Sequence, residues 1–90
     1  MTLDITEAKN PKFKDGTHVM FLSYKNEPNR GRTKGIVLYT RYNTKIERNQ
    51  LFIKSYAYAL PSNPENWSPM LQCQNIVRDE SECIILPNLL

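Results

Sequence analysis

Short runs of β-branched and aromatic residues alternate along the chain with polar stretches that contain Pro, Gly or Asn. Runs of this length, bounded by turn residues, are typical of β-strands. They predict five strands, over residues 17–24, 35–42, 51–60, 70–77 and 82–86. No segment keeps a helical spacing of apolar residues, and residues 6–9 or 79–82 offer room for a single turn. The pattern favours a small all-β barrel or sandwich.

Alternation along the second and third predicted strands assigns side chains to faces of the sheet. The second strand divides into one face with Ile36, Leu38 and Thr40 and another with Val37, Tyr39 and Arg41. In the third strand, Phe52, Tyr56 and Tyr58 share a face. Two interpretations stay open for these aromatics: they fill the barrel as core, or they form an exposed surface with Tyr39.

Two longer polar segments, residues 25–34 and 61–69, separate the strands. Residues 1–11 lack a sustained period and are expected to form an N-terminal arm, and residues 12–90 a single domain. Gly16 precedes the first strand, where it is free to take a positive φ. Because five strands and their turns use nearly all of the chain, the two polar segments are where residues are left for binding a partner.

Three segments resemble small SH3-like barrels: Lys12–Val19 (KFKDGTHV), Thr33–Val37 (TKGIV) and Val77–Leu86 (VRDESECIIL). In such domains a Gly-Asp-x-Val-type turn starts the first strand, and Gly-x-Val starts the second after a variable loop. The KOW-type branch, found in ribosomal and transcription-elongation proteins, is similar because a basic loop with glycine precedes its Gly-x-Val. Over residues 12–86 the resemblance implies a barrel of about five antiparallel strands, and its KOW variant implies DNA or RNA binding. The order Asp15-Gly16 and the long Pro-rich loop 61–69 depart from the family pattern.

The two cysteines, Cys73 and Cys83, sit outside any Cys-x-x-Cys or Cys/His arrangement. One interpretation is that both are reduced and buried on adjacent strands, as expected of a protein inside the cell. The other is a cross-strand disulfide, which requires residues 70–77 and 82–86 to form a hairpin centred near Arg78.

Catalytic chemistry finds little support in the sequence. The one histidine, His18, lies in the middle of a strand, where a structural role is expected, and no second histidine completes a triad. Asp79, Glu80 and Glu82 form an acidic turn that is expected to be solvated. Without a Cys/His cluster there is no ordinary zinc site. We expect no enzymatic activity, no cofactor and no bound metal.

Positive charge is concentrated in one part of the chain. The total is +3, but residues 24–48 carry seven Lys and Arg against two Glu, a local charge of +5. Five of these residues are candidates for binding phosphates: Arg30, Arg32, Lys34, Arg41 and Lys45. If the loops of a small barrel approach one another, they form a positive edge. Aromatic rings beside it would then stack on unpaired bases.

Trp67 is the one large apolar residue of the second polar segment. Two interpretations stay open: it folds back to cap an open barrel end, or it anchors a protein partner. An exposed strand edge offers a third route, the addition of a strand from the partner. The candidate partner-binding residues are Trp67, Tyr39, Tyr56 and Tyr58.

Taken together, these features favour a binding module that regulates or inhibits a larger macromolecular complex through protein–protein contacts. A protein of this size and composition suits a bacterial or phage accessory role. The alternative is a KOW-like protein that binds DNA or RNA through the basic segment. The N-terminal residues lack the pattern of a secretory signal and the longest apolar run, residues 83–86, is short. We therefore expect a cytoplasmic location and no membrane partner.

Overall fold

The structure of the protein is a computed structural model, which describes residues 5–86. Within that range the chain forms six strands: β1 (Ile5–Glu7), β2 (His18–Leu22), β3 (Arg32–Asn43), β4 (Arg48–Ala59), β5 (Ser68–Asp79) and β6 (Ile84–Ile85). Two 3₁₀ turns, Pro28–Arg30 and Glu80–Glu82, precede β3 and β6. The first four residues of the predicted arm and the last four of the predicted domain lie outside the described residues.

The strands form one antiparallel sheet in the order β5-β4-β3-β2-β6. β4 pairs along the whole of one side of β3. On the other side, β2 pairs with the first part of β3, and β1 with its last three residues. Between residues 5 and 86, β5 and β6 do not pair with each other, so the sheet is not closed. The predicted all-β class is confirmed, whereas a closed barrel is not observed.

Residues of the predicted arm contribute to the sheet. Residues 5–7 form β1, so the helical turn considered for residues 6–9 is wrong. The other candidate turn, residues 79–82, coincides with the 3₁₀ turn Glu80–Glu82. Asn49 of β4 holds the segment after β1, because its Nδ2 donates to the Lys9 carbonyl at 2.6 Å and its Oδ1 accepts from the Lys9 N–H at 3.0 Å.

The hairpin that the disulfide alternative requires, between residues 70–77 and 82–86, does not form. After β5 the 3₁₀ turn carries the chain across the sheet to β2, where Ile84 pairs with Met20. β5 and β6 therefore stand at opposite ends of the strand order, and the register required for a Cys73–Cys83 disulfide does not arise. Both cysteines are free: Cys83 is buried as expected, whereas Cys73 is exposed.

The core lies on one face of the sheet. In β4 every second residue from Asn49 to Ala59 is buried, which is the alternation expected for a strand with one face in the core. Each large apolar side chain buried in this way stabilises the fold by about 1.5–3 kcal/mol. The core cluster consists of Phe13, Val19, Phe21, Val37, Leu51, Ile53 and Cys83, with Ile76 packed against it.

The alternation expected for residues 35–42 breaks at Leu38. Val37 pairs with Ile53 and Tyr39 with Phe52, so Leu38 is an extra residue in β3. A bulge of this kind changes which face the following side chains occupy. Thr40 is therefore buried beside Val37, and the prediction that these two lie on opposite faces is wrong.

A second irregularity lies in the middle of the sheet, at Tyr56. In the pairing of β4 with β3, the register skips from Ser55 to Ala57. In the pairing of β4 with β5, Tyr56 faces a bulge of residues 70–73, which have no Cα partner in β4. Bulges bend a strand and increase its twist. Tyr56 therefore marks a bend that separates the closely paired part of the sheet from its far end.

Gly35 of β3 lies next to this bend, where β3 and β4 approach each other closely. A Cβ at this position would lie well inside van der Waals contact with Ile53 Cγ2 and at 3.0 Å from the Lys54 carbonyl oxygen. We expect Gly35→Ala to lower the free energy of unfolding by about 1–3 kcal/mol, as overpacking does. Arg32→Ala, at an exposed position of the same strand, is the control and should stay within about 0.5 kcal/mol in the same denaturant titration. Equal effects of the two variants would contradict the close packing at Gly35.

The two thiols should react very differently in the folded protein. Burial, together with the negative charge of Glu82, raises the pKa of Cys83 to about 12. Its thiol therefore stays protonated, and hence unreactive, as the pH rises from 7 to 9. A thiol-reactive reagent should modify one residue, Cys73, rapidly in native protein and the second only after denaturation. Rapid modification of Cys83 at pH 8, located by peptide mapping, would contradict its burial.

Candidate binding groove

The hydrophobic core opens to solvent beyond the bend at Tyr56. There Thr33 of β3 lies directly opposite Tyr58 of β4, and both line a hollow of about 360 Å³. Its deep wall includes Ala59, which is buried, and Ile76, which packs against the core cluster. The hollow is thus an uncovered end of the core, of a size that ligand-binding pockets have.

Large apolar side chains form the rim of this hollow. Tyr24, Tyr58 and Leu60 are 49%, 39% and 56% exposed, and all three line it together with the half-buried Met70. Scattered exposed apolar residues need no explanation, but a convergent group of them in a concave surface is typical of an interaction site. This end of the core is therefore the candidate functional site.

A second depression of about 580 Å³ continues the first. The two share Tyr58, Met70 and Gln74 as lining residues. The second adds Leu71, which is fully exposed because it lies in the β5 bulge opposite Tyr56. We call the two depressions together the binding groove; its large apolar residues are Tyr24, Tyr58, Leu60, Met70, Leu71 and Ile76.

The loop from Ser23 to Gly31 forms one side of the groove and is braced internally. The Ser23 N–H donates to the Gly31 carbonyl at 3.1 Å, which closes the loop at its base. Arg78 of β5 donates from Nη2 to the Ser23 carbonyl at 3.1 Å and lies over the Phe21 ring. Arg30 lies over the Tyr24 ring, with 4.0 Å between the guanidinium carbon and the ring centre. These contacts hold the rim in place before any partner arrives.

The candidate partner-binding residues do not form one surface. Tyr58 lines the groove. Tyr56 extends instead to His18, with 2.8 Å between its hydroxyl and His18 Nδ1; burial raises the pKa of Tyr56, so the hydroxyl keeps its proton. Tyr39 stacks on Phe52 with 4.7 Å between ring centres. Alternation along β4 continues past Tyr56, so Tyr56 and Tyr58 share the face opposite the buried Ser55, Ala57 and Ala59, as the sequence predicts, but their contacts differ.

Trp67 is half-buried in the loop between β4 and β5. The Lys34 ammonium lies 4.2 Å from the centre of its ring. Lys34 is paired with Ala57, a buried residue of the β4 segment beyond the bend. The contact brings the Trp67 side chain back onto the sheet, close to the groove's end of β3.

The candidate phosphate-binding residues are spread along β3 rather than gathered at one edge. Arg30, Arg32 and Lys34 lie near its start, and Arg41 and Lys45 lie near or just beyond its end. At about 3.3 Å per residue, the nine positions from Arg32 to Arg41 span at most about 30 Å. Arg41 lies 4.6 Å from the Tyr39 ring centre, so that ring, already stacked on Phe52, has less surface free for a base.

A smaller hollow of about 210 Å³ is charged on both sides. Asp79 accepts a hydrogen bond from Arg48 Nη1 at 2.7 Å, and Lys25 lies 3.4 Å from Glu82. These opposite charges compensate one another within the hollow. Among the described residues, no three His, Cys, Asp or Glu side chains come together as metal ligands would. No helix between residues 5 and 86 has the length and apolar character to cross a membrane.

Sequence reasoning missed most of the groove. Leu60, Met70, Leu71 and Ile76 were assigned to strands by their apolar character, with no role in binding. One signal was present: Pro64 and Pro69 make the β4–β5 connection irregular, so strict pairing was not to be expected beside it. No pattern in the sequence predicts the bulge of residues 70–73.

The chain matches no protein-family model, and no curated protein or solved structure matches it.

Tyr58 should matter little for folding if its role is in the groove. We expect Tyr58→Ala to lower the free energy of unfolding by about 1 kcal/mol, because the side chain is 39% exposed. Phe21→Ala, in the core at 3% exposure, should cost about 3–5 kcal/mol. Denaturant unfolding followed by circular dichroism measures both. A loss at Tyr58 as large as that at Phe21 would make Tyr58 a core residue.

Proposed function

We propose that the protein is a non-enzymatic binding module that holds an extended apolar segment of a partner protein in the groove. The observation that carries the proposal is the convergence of exposed Tyr24, Tyr58 and Leu60 on one open end of the core. When a partner buries the apolar surface exposed there, the complex is stabilised by roughly 25 cal/mol per Å² of buried area. Through such a contact the protein would regulate or inhibit a larger complex, a role that suits a bacterial or phage accessory protein.

The backbone of β5 adds to this proposal. Residues 70–73 have no Cα partner in β4, and β5 is an edge strand of the described sheet. An extended peptide lying along the groove would find backbone N–H and C=O groups there as well as apolar side chains. Peptide capture at an exposed strand edge combines backbone hydrogen bonds with side-chain pockets.

An SH3-like architecture remains our proposal for the fold family. Two features support it: β2 to β5 follow one another as neighbours, and a 3₁₀ turn leads to a short last strand that returns to β2. The sheet is open between β5 and β6, so the likeness concerns strand order rather than closure. A KOW-like role in binding DNA or RNA has less support, because the basic residues are spread along β3.

Selection of peptides from a random library displayed on phage tests the groove directly. Peptides recovered on the wild-type protein should be rich in large apolar residues. Tyr58→Ala should weaken their binding at least about tenfold, since a central aromatic residue of an interface contributes about 2 kcal/mol or more. Tyr39→Ala, a tyrosine outside the groove, is the matched control and should bind as wild type does.

Two outcomes would contradict the proposal. One is that Tyr58→Ala binds the recovered peptides as well as wild type does, or that no peptide is recovered. The other is that single-stranded DNA or RNA binds with an affinity that falls steeply between low and moderate salt, and that Arg32 and Arg41 variants abolish it. The second outcome would establish the nucleic-acid alternative instead.

A further inference from the structure

One charged residue stands out on the otherwise neutral wall of the groove. Among the described residues that line it, Arg30 alone carries a charge. Its guanidinium lies on the Tyr24 ring, 4.0 Å from the ring centre, at the side of the 360 Å³ hollow. The cation therefore sits beside the apolar surface that the partner would cover.

The charge of Arg30 is only weakly compensated. Its ion pair in the described part of the chain is with Glu27, at 3.9 Å, and both side chains are about half exposed. Pairs of this kind contribute roughly 0–1 kcal/mol. A guanidinium stacked on an aromatic ring keeps its N–H groups in the plane available, and their forked arrangement suits a carboxylate. Arg30 is thus free to exchange Glu27 for a better partner.

The backbone around Arg30 indicates where that carboxylate comes from. A terminal carboxylate is usually held by several free backbone N–H groups. Here the Arg30 N–H donates to the Glu27 carbonyl at 3.1 Å, and the Glu27 N–H donates to the Tyr24 carbonyl at 3.0 Å. The Ser23 N–H is also used, at the base of the loop. These three N–H groups are therefore not available to hold a terminal carboxylate, and the forked Arg30 side chain favours an acidic side chain within a peptide.

We propose that the groove selects an internal segment of a partner protein in which large apolar residues are accompanied by one Asp or Glu that pairs with Arg30. The inference rests on the proposed function, since it names the chemistry of the segment that the groove would hold. Covering the pair with an apolar peptide removes water from around it, which strengthens the attraction between the two charges and also costs them part of their hydration.

The composition of selected peptides tests this inference. We would select from one random dodecapeptide library on wild type, Arg30→Gln and Arg41→Gln, the last being an arginine outside the groove. The proposal expects Asp or Glu to be enriched at one position beside apolar residues on wild type and on Arg41→Gln. On Arg30→Gln the apolar preference should remain and the acidic preference should disappear. Circular dichroism confirms that each variant is folded.

Direct binding then gives the size of the effect. Replacing the selected acidic residue by Gln or Asn should weaken binding to wild type about 5- to 20-fold and leave binding to Arg30→Gln unchanged. Arg30→Lys keeps the charge but loses the forked arrangement of N–H groups. Its affinity for the acidic peptide should lie between those of wild type and Arg30→Gln. On wild type, the difference in affinity between the acidic peptide and its Gln or Asn counterpart should shrink as salt is raised, because Arg30 is partly exposed.

Each other outcome overturns the inference in a recognisable way. Apolar peptides without acidic enrichment would leave the proposed function standing and remove the role of Arg30. A second library with free carboxyl termini, if it gave tighter peptides that depend on Arg30, would show terminal rather than internal recognition. If neither library yields peptides sensitive to Tyr58→Ala, the proposed function fails as well.

Discussion

The bend at Tyr56 is the constraint on which the rest of the structure depends. Up to this residue β4 pairs closely with both neighbours, and its buried side chains complete the core. Beyond it the register with β3 has shifted and residues 70–73 of β5 stand apart from β4. Thr33, the half-buried Ile76 and the exposed Tyr58 then share a wall that no strand in the described part of the chain covers. The close approach of β3 and β4 at Gly35 and the contact of Tyr56 with His18 hold this geometry.

An open end of a core is costly in water, and here several contacts brace the loop beside it. Arg78 of β5 donates a hydrogen bond to the Ser23 carbonyl, and the Ser23 N–H donates to the Gly31 carbonyl at the base of the loop. The Arg30 guanidinium stacks on the Tyr24 ring. A surface arranged in advance loses little conformational entropy when a partner binds, and this raises affinity for a given contact area. The same contacts explain how a chain of 90 residues can present a binding surface: it is built from the end of the sheet and the braced loop of residues 23–31 beside it.

The sequence was sufficient for the all-β class and for the approximate position of most strands, because alternation and turn residues are local signals. It was insufficient where side-chain direction depends on pairing between strands. The bulge at Leu38 brings Thr40 into the core, and the irregular pairing at Tyr56 leaves residues 70–73 of β5 without partners in β4. The hairpin that a disulfide would require between β5 and β6 does not form for the same reason: the short 3₁₀ turn and the return to β2 are decided by tertiary packing. Arg30, named as a phosphate ligand, lies in the groove with Tyr58, an association that no spacing in the chain could indicate.

Photo-cross-linking in the cells that carry the gene tests the central claim, that the uncovered end of the core is where a partner docks. A benzophenone amino acid would replace Leu60, on the rim of the groove, or Leu38, another exposed leucine that lies outside the groove. The account predicts a discrete cross-linked protein from position 60 on irradiation, lost when Tyr58→Ala is added, and none from position 38. Cross-linking from position 38 with none from position 60 would contradict it.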